Sequence, residues 1–209
     1  MKVIEPKVEI LTVFNGEEVL KFIERIGRTC YKSEDRITED SAKRFIDNLI
    51  KSGHESVIEH LNITVKFITD RGISHEIVRH RLASYSQEST RYCNYSKDKF
   101  GNEIAVIKPS RIANEQYLIW YNACLQAEKA YFDLLNIGVN PETARSVLPT
   151  CLKTELVMTM NLRELRHFLK LRTSKAAHPD IRIVAIDLLK QLQKLIPIIF
   201  DDIKVEEGD

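Results

Sequence analysis

The sequence is poor in glycine, with 7 among 209 residues, and none of them belongs to a phosphate-binding loop. Neither the G-x-G-x-x-G turn of dinucleotide-binding domains nor the G-x-x-x-x-G-K-[ST] loop of NTPases occurs, so neither nucleotide site is expected. Apolar runs stay far below the roughly 20 residues that cross a bilayer. Glu5 and Pro6 interrupt the first segment, where a secretion signal needs an apolar run. These absences exclude the commonest nucleotide-binding loops and predict a protein without a membrane partner.

An excess of one charge is also lacking, because 31 Lys and Arg residues stand against 30 Asp and Glu residues. Binding to nucleic acid or to a membrane surface through a whole basic face requires a larger excess, so neither partner is expected. Any anion site is therefore expected to be a local cluster. The four cysteines form no C-x-x-C pair, which favours reduced thiols in a cytoplasmic protein over a disulfide framework or a thiolate zinc site.

The spacing of apolar residues predicts both strands and helices. Period-two or β-branched segments predict strands at residues 7–13, 61–67, 104–107 and 153–160. Helical spacing predicts helices at residues 17–29, between 38 and 53, from 72 to about 80, at 114–137, and from residues 141, 161 and 179. Because strands and helices do not alternate regularly, we predict an α+β fold with a mainly antiparallel sheet packed with several long helices. A single domain over residues 1–209 is expected.

Capping residues mark three of the predicted helix starts. Thr38 is predicted to cap one helix, with Ser41 three residues on. Asn140 before a proline, and Asn161 with Glu164 as a capping box, mark two others. The long helix at 114–137 is expected to turn six residues inward: Tyr117, Trp120, Tyr121, Cys124, Tyr131 and Leu135.

Two histidine pairs come close to the H-E-x-x-H pattern of zinc enzymes, and both fail it. His75 and His80 are five residues apart, which on a helix separates them by roughly 140° instead of the roughly 40° of an i,i+4 pair. His54 and His60 are six apart and lie on a loop and the start of a strand. No metal site is therefore expected.

The densest group of polar side chains lies in residues 79–91, RHRLASYSQESTR. Two structural interpretations of it stay open: Arg79 and Arg81 can offset a helix dipole, and Ser84–Arg91 can form a solvated edge strand. Guanidinium groups and hydroxyls also bind phosphate in defined geometry, and arginine stays charged when buried. The S-x-R that ends the segment favours this third interpretation, a phosphorylated ligand, without identifying it.

The same segment resembles the flavin-dependent thymidylate synthases, which carry R-H-R, seven residues and then S-x-R. Here the pattern is filled by Arg79-His80-Arg81, seven residues, Ser89 and Arg91. Three further elements resemble that family in the same order along the chain: G-H-E-S with E-H at 53–60, A-R-x-x-L-P at 144–149, and N-x-R with L-x-x-R at 161–172. The resemblance covers roughly residues 50–180. It implies reductive methylation of dUMP to dTMP.

The resemblance also implies the cofactors and the residues that bind them. It implies FAD as the cofactor, NADPH as the reductant and 5,10-methylenetetrahydrofolate as the carbon donor. It implies a homotetramer whose FAD and dUMP sites are shared between subunits. The implied FAD-binding residues are Ser56, Arg79, His80, Arg81, Gln87, Asn161, Arg163 and His167.

For dUMP, the resemblance implies a second set of residues, of which one is catalytic. Arg172 matches the arginine that faces the uracil and stabilises ionisation at N3. Ser89 is interpreted as a substrate ligand, because reduced flavin supplies the hydride and no protein nucleophile is needed. The implied substrate-binding residues are Glu76, Arg79, Gln87, Glu88, Ser89, Thr90, Arg91, Arg145 and Arg172.

Four positions depart from commoner family members. Glu76 stands where Gln is frequent, Ser86 where Asn is frequent, Gln87 where Glu occurs and His167 where Asn occurs. The role of His54 stays open between a capping or core residue and a place near flavin or folate.

Two other functions remain as alternatives. One is a non-catalytic nucleotide-binding or RNA-binding module that uses the 79–91 segment, with Tyr85, Tyr92 and Tyr95 as stacking residues. The near-neutral charge and the lack of a recognised RNA-binding motif argue against it. The other is a flavin oxidoreductase that acts on a different substrate.

Overall fold

The computed structural model describes residues 1–205, which form six strands and seven α-helices. The strands are β1 Lys2–Ile4, β2 Lys7–Ile10, β3 Asn62–Asp70, β4 Ala83–Gln87, β5 Ala105–Ile107 and β6 Lys153–Asn161. The helices are α1 Gly16–Thr29, α2 Ser41–Lys51, α3 Arg71–Ile77, α4 Asn114–Asn136, α5 Pro141–Ala144, α6 Leu162–Arg172 and α7 Pro179–Leu195. Within residues 1–205, every helix is too short or too polar to cross a membrane.

Four of the strands form an antiparallel sheet in the order β2-β3-β6-β4, which confirms the predicted α+β class. In β3 the side chains of Ile63, Val65 and Phe67 are buried and alternate with partly exposed ones, as the period-two pattern predicts. β4 lies at one edge of this sheet. The edge-strand interpretation of Ser84–Arg91 is thus confirmed only as far as Gln87, where β4 ends.

A second sheet was not predicted. β1 pairs with β5 in parallel, with Lys2 opposite Ala105 and Ile4 opposite Ile107. The strand predicted at 104–107 corresponds to β5, whereas the three residues of β1 are too few for a strand pattern to be recognised, so its partner in the sheet was not found.

The described chain divides into two compact units whose segments interleave along the sequence. The first unit contains residues 1–7, 67–79 and 85–157, and the second contains residues 8–66, 80–84 and 158 onward. Strands β3 and β6 each contribute residues to both units. The expectation of a single domain stays a prediction.

The first unit has a core built around α4. Its buried residues are Tyr95, Ile104, Val106, Cys124, Tyr131, Ala144 and Leu152. On α4 itself only Cys124 and Tyr131 are buried, whereas the other four side chains predicted to face inward are half-buried. Leu118 and Ile119 on the same helix are 63% and 75% exposed. The helix is apolar on more than one face, and its sequence therefore did not define which face is buried.

The second unit is helical on most of its sequence, with α1 packed on α2 and α6 packed on α7. The predicted cap at Thr38 is wrong. Ser41 accepts a hydrogen bond from the Thr38 backbone N–H and donates to the buried carboxylate of Glu24 at 2.8 Å. The Glu24 carboxylate is also paired with Arg28. Because a buried carboxylate needs donors, the Ser41 hydroxyl faces Glu24.

A buried arginine ties three segments of the second unit together. Arg166 on α6 is 1% exposed and binds both carboxylate oxygens of Asp202, at 2.6 and 2.7 Å. Its Nε donates to Glu55 at 3.0 Å, and Nη1 donates to the carbonyl of Ile199. The guanidinium therefore links α6 to the 3₁₀ turn Glu55–His60 and to the segment after α7.

Candidate functional site

The R-H-R triplet follows α3 directly, in the turn that leads to β4. α3 ends at Ile77, and the backbone N–H of Arg79 donates to the carbonyl of Glu76. Arg79 and Arg81 are exposed, whereas His80 is 6% exposed. The two arginines therefore lie beyond the helix and not in its last turn, so the helix-dipole interpretation does not describe them.

In the second unit His80 is held between two charged side chains of α6. Its Nε2 accepts a hydrogen bond from Nε of Arg172 at 3.0 Å, and its Nδ1 lies 3.5 Å from Oε1 of Glu164. The Phe168 ring packs edge-on against the imidazole, with 4.9 Å between centroids. Burial lowers the pKa of His80, and the neighbouring Arg172 cation lowers it further. A neutral imidazole that accepts at Nε2 carries its proton on Nδ1, facing Glu164.

The first turns of α6 line a cleft of about 580 Å³, here called the α6 cleft. Asn161 caps the helix by accepting from the backbone N–H of Glu164 at 2.8 Å, as predicted. Arg163, His167 and Lys170 follow at helical spacing and face the same cleft. The full lining is Glu55, Glu59, Leu82, Asn161, Arg163, Glu164, His167 and Lys170. Three of the residues predicted to bind FAD are thus brought together here.

A metal site was not predicted, yet His80, Glu164 and His167 offer ligand atoms within 4.8 Å of one another. Residues 80 and 164 are far apart in sequence, so no local spacing could indicate this group. The hydrogen bond from Arg172 fixes the His80 proton on Nδ1, the nitrogen that faces Glu164. The geometry is therefore that of a hydrogen-bonded cluster, and the expectation of no metal stays a prediction.

Ser56 lies at a smaller cleft of about 340 Å³ in the same unit, the Ser56 cleft, which His54 and Arg163 also line. Gly53 supports the loop with a positive φ of 70°, which a residue with a side chain rarely adopts. His54 is exposed and makes no side-chain cap to the 3₁₀ turn that follows it. The capping and core interpretations of His54 are wrong, and the residue lines the Ser56 cleft.

The other substrate-type residues belong to the first unit, where a cleft of about 570 Å³ lies beside α5, the Arg145 cleft. Nη1 of Arg145 donates to the hydroxyl of Thr90 at 3.0 Å. Arg91 pairs with Glu142, which also lines this cleft, at 3.3 Å. The lining is Arg71, His75, Thr90, Glu142, Thr143, Arg145, Ser146, Leu148, Pro149, Thr150 and Leu152.

Arg71 and His75 were missed as cleft residues. They are four residues apart on α3, a spacing that places two side chains on one face of a helix. In the sequence, His75 stands out only as a candidate metal ligand. The i,i+4 spacing of a guanidinium and an imidazole just before the R-H-R triplet was the signal that could have found them.

Three predicted ligands have side chains that bind other parts of the first unit. The Gln87 amide donates to the hydroxyls of Ser74 and Thr154, at 2.8 and 3.2 Å. The Glu88 carboxylate accepts from the Tyr95 hydroxyl at 3.1 Å and from Lys153 at 3.0 Å. The Ser89 hydroxyl accepts from the backbone N–H of Arg91 at 3.3 Å, and Glu76 is half-buried on α3.

Comparison with known proteins decides the family. Residues 12–198 match the family described as "Thymidylate synthase complementing protein". The "Flavin-dependent thymidylate synthase" of Geobacter sulfurreducens is 37% identical over 185 residues, which is 84% of this chain and 78% of that protein. This chain belongs to the flavin-dependent thymidylate synthase family.

A second curated relative and a solved structure support the assignment to the flavin-dependent thymidylate synthase family. The protein of that name from Corynebacterium glutamicum is 32% identical over 95% of this chain and 84% of its own length. The crystal structure of the UMP/dUMP methylase PolB from Streptomyces cacaoi, bound with 5-Br dUMP, superposes with a TM-score of 0.79. It is 25% identical, with 96% of each chain covered.

Membership of the flavin-dependent thymidylate synthase family makes this chain a flavin-dependent enzyme of thymidylate synthesis. It decides against the non-catalytic RNA-binding module. Within the family pattern, the second unit brings the cofactor-type residues Asn161, Arg163 and His167 to the α6 cleft. The first unit brings Thr90 and Arg145 to the Arg145 cleft.

Proposed function

We propose that this protein methylates dUMP to dTMP, with FAD as the cofactor, 5,10-methylenetetrahydrofolate as the carbon donor and NADPH as the reductant. The observation that carries the proposal is the hydrogen bond from Nε of Arg172 to the buried His80. This bond orients the planar guanidinium through its Nε. A planar cation that is held in a fixed orientation suits recognition of a uracil carbonyl.

The charge on Arg172 supplies what the chemistry needs. Reduced flavin, when bound, supplies a hydride to C6 of the uracil. Negative charge then develops along C5, C4 and O4, and a permanent guanidinium stabilises it without a proton transfer. Because His80 is neutral, it accepts from Arg172 without contributing a negative charge of its own. Ser89 then serves as a substrate ligand.

The α6 cleft suits a cofactor that carries a pyrophosphate. The N-terminus of the eleven-residue α6 presents backbone N–H groups, which favour anions, beside the Asn161 cap. Arg163 adds a cation whose partner, Glu59, is an exposed carboxylate that water can screen. Asn161, Arg163 and His167 would hold the cofactor here. The family pattern also implies Ser56, Arg79, His80 and Arg81 as cofactor-binding residues.

Arg81→Ala is expected to weaken retention of FAD, because it removes an exposed cation from the R-H-R triplet that the family uses to anchor the cofactor. The measurement is the flavin absorbance per protomer after gel filtration, compared with wild type and with Arg36→Ala. Arg36 is an exposed arginine of the second unit that lines neither the α6 cleft nor the Ser56 cleft. Flavin content equal to that of the control would remove Arg81 from the cofactor set.

The Arg145 cleft suits the 5′-phosphate of dUMP. Arg145 and the hydroxyl of Thr90 are already joined at 3.0 Å, and Arg91 adds a second cation beside the cleft. A phosphate monoester accepts bonds from guanidinium groups and hydroxyls together. The proposal therefore assigns Arg91, Thr90 and Arg145 to the phosphate. Gln87 and Glu88, whose side chains bind other residues, are assigned to shaping the cleft.

Arg145→Ala is expected to raise the KM for dUMP by about tenfold to a hundredfold, the usual cost of losing one charge-assisted hydrogen bond. The value of kcat should change less, because the phosphate takes no part in the bonds that form and break. Steady-state kinetics with varied dUMP measure both, with the exposed Lys129→Ala on α4 as the control. A large fall in kcat at unchanged KM contradicts the phosphate assignment.

A homotetramer with sites shared between subunits is part of the proposal. The exposed Leu118 and Ile119 on α4 support it, because contiguous apolar side chains on a helix favour contact with another subunit. The four cysteines are all thiols, which fits the cytoplasm as the compartment that we propose. Partners other than substrates and further copies of the chain, such as nucleic acid, form no part of the proposal.

One assay separates the proposed function from its rival. Purified protein is expected to be yellow and to form dTMP from dUMP, 5,10-methylenetetrahydrofolate and NADPH. A flavin oxidoreductase with a different substrate would consume NADPH without forming dTMP. Absence of dTMP above a control with free FAD and no protein refutes the proposed function.

A further inference from the structure

We infer that Glu164 is a positioning residue, which holds the buried His80 in the one tautomer that can bind Arg172. This inference rests on the proposed function, since it concerns how the uracil-facing arginine is held. Glu164 belongs neither to the cofactor-binding nor to the substrate-binding residues that the family pattern implies.

The geometry places the three groups in a line. Nδ1 of His80 lies 3.5 Å from Oε1 of Glu164, and Nε2 on the opposite side of the ring lies 3.0 Å from Nε of Arg172. The side chains of His80 and Glu164 are 5% and 14% exposed, so water competes weakly for either contact. The two contacts use both ring nitrogens, and the imidazole connects the carboxylate to the guanidinium.

The spacing on α6 explains why these residues meet. Glu164, Phe168 and Arg172 are four residues apart in succession and therefore lie on one face of the helix. Phe168 packs against the middle of the imidazole, between the two charged side chains. Side chains from three consecutive turns of one helix therefore fix the position of the His80 ring.

Hydrogen-bond chemistry permits only one arrangement of protons in this line. A guanidinium has donors and no acceptors, so Nε2 of His80 must present a lone pair to Arg172. The single proton of the neutral ring is then on Nδ1, where the Glu164 carboxylate stabilises it. The other tautomer would aim an N–H at the Arg172 N–H and leave the carboxylate without its donor.

Protonation of His80 breaks the line, because the charged ring has no lone pair for Arg172. Among the described residues, Glu164, His167 and Arg172 of α6 are charged or titratable groups that face the ring. Burial and Arg172 lower the pKa of His80, whereas Glu164 raises it. The bond to Arg172 is therefore present when His80 is neutral, and acid removes it.

The test compares Glu164→Gln and Arg172→Gln by ¹⁵N NMR of histidine-labelled protein across pH. The wild type is expected to show His80 protonated at Nδ1 and bare at Nε2. Glu164→Gln should lower the pKa of His80 and Arg172→Gln should raise it, because the variants remove opposite charges. A wild-type ring protonated at Nε2, or the same direction of shift in both variants, overturns the inference.

Kinetics supply the second arm. Glu164→Gln is expected to lower kcat by about tenfold, the lower range for supporting residues that orient a functional group. The dUMP KM and the flavin content should stay within about twofold of wild type. Glu18→Gln, an exposed glutamate on α1, is the matched control. A kcat equal to that of the control, or a fall that follows lost flavin alone, refutes the positioning role.

The two arms separate the inference from the proposed function. If the wild type forms no dTMP, the proposed function fails and the kinetic role fails with it. The NMR arm reads the tautomer and the two pKa shifts without turnover, so the hydrogen-bonded line itself is still confirmed or refuted.

Discussion

Arg172→Ala is expected to lower kcat by about 10²-fold to 10³-fold, the range found when a single group that stabilises developing negative charge is removed. The guanidinium is the cation that the proposed mechanism sets against charge on C4 and O4 of the uracil. Its Nε donates to His80 at 3.0 Å, so the group is oriented before substrate binds. Single-turnover formation of dTMP measures the effect on the chemical step.

Flavin content and a conservative variant make the Arg172 prediction specific. Bound flavin should remain at the wild-type level in Arg172→Ala, because the cofactor residues of the α6 cleft are unchanged. The kcat of Arg172→Lys should lie between those of Arg172→Ala and the wild type, because an ammonium keeps the charge and loses the planar guanidinium geometry. Normal turnover of the alanine variant would show that the uracil assignment is wrong. Loss of flavin would move Arg172 to the cofactor-binding set.

Arg166→Met is expected to lower the free energy of unfolding by about 3 kcal/mol, the lower end of the cost of breaking a buried ion pair. The side chain is 1% exposed and binds Asp202 through two parallel hydrogen bonds. Asp202 is 45% exposed and can be rehydrated, whereas Glu55 at 20% keeps much of its desolvation penalty. Urea unfolding at fixed protein concentration measures the change.

The Arg166 prediction includes a dependence on pH. The hydrogen bond from Arg166 lowers the pKa of Asp202 below its ordinary value of 3.8. A lowered pKa in the folded state contributes stability above the unfolded value, and that contribution is lost as pH falls through the folded value. The difference between wild type and Arg166→Met should therefore be full at neutral pH and shrink below pH 3.8. A difference that is constant with pH would exclude the Asp202 pair as its source.

Lys51→Met controls for the loss of a cation. Lys51 pairs with Asp47 on the surface of α2, where both side chains are exposed. Such a pair contributes about 0.5 kcal/mol or less. An Arg166→Met variant no less stable than this control contradicts a buried linking role for the guanidinium.

The elements of the fold that could be predicted are those with a local pattern. β3 was found from its alternation and α6 from its Asn161 cap, because each signal occupies a few adjacent residues. The buried face of α4 could not be identified from the sequence, because apolar side chains lie on more than one face of the helix. Ser41 was misassigned because its partner, Glu24, lies 17 residues earlier on another helix.

The candidate site also has parts that a local motif indicates and parts that only the three-dimensional structure shows. The R-H-R and S-x-R elements identified the family, and the role that the family pattern implies for Arg172 stays a prediction. The hydrogen bond between Arg172 and His80 joins residues 92 apart, and no spacing in the sequence indicates it. The family pattern also implied Gln87 and Glu88 as ligand-binding residues. In the structure, Gln87 binds Ser74 and Thr154, and Glu88 binds Tyr95 and Lys153. One of these partners, Thr154, lies 67 residues from Gln87, so the motif could not indicate it, and the ligand roles of Gln87 and Glu88 stay predictions.

The apolar surface of α4 has a consequence for how the enzyme behaves on dilution. Leu118 and Ile119 are exposed in a single chain, and the proposed association with further copies would cover them. If the binding sites are shared between copies, only the assembled protein is active. The fraction of protein that is assembled then follows from the protein concentration by mass action. The rate per protomer would then rise with protein concentration until assembly is complete. Below complete assembly, the total rate of dTMP formation would therefore rise more than twofold when the concentration of this chain doubles.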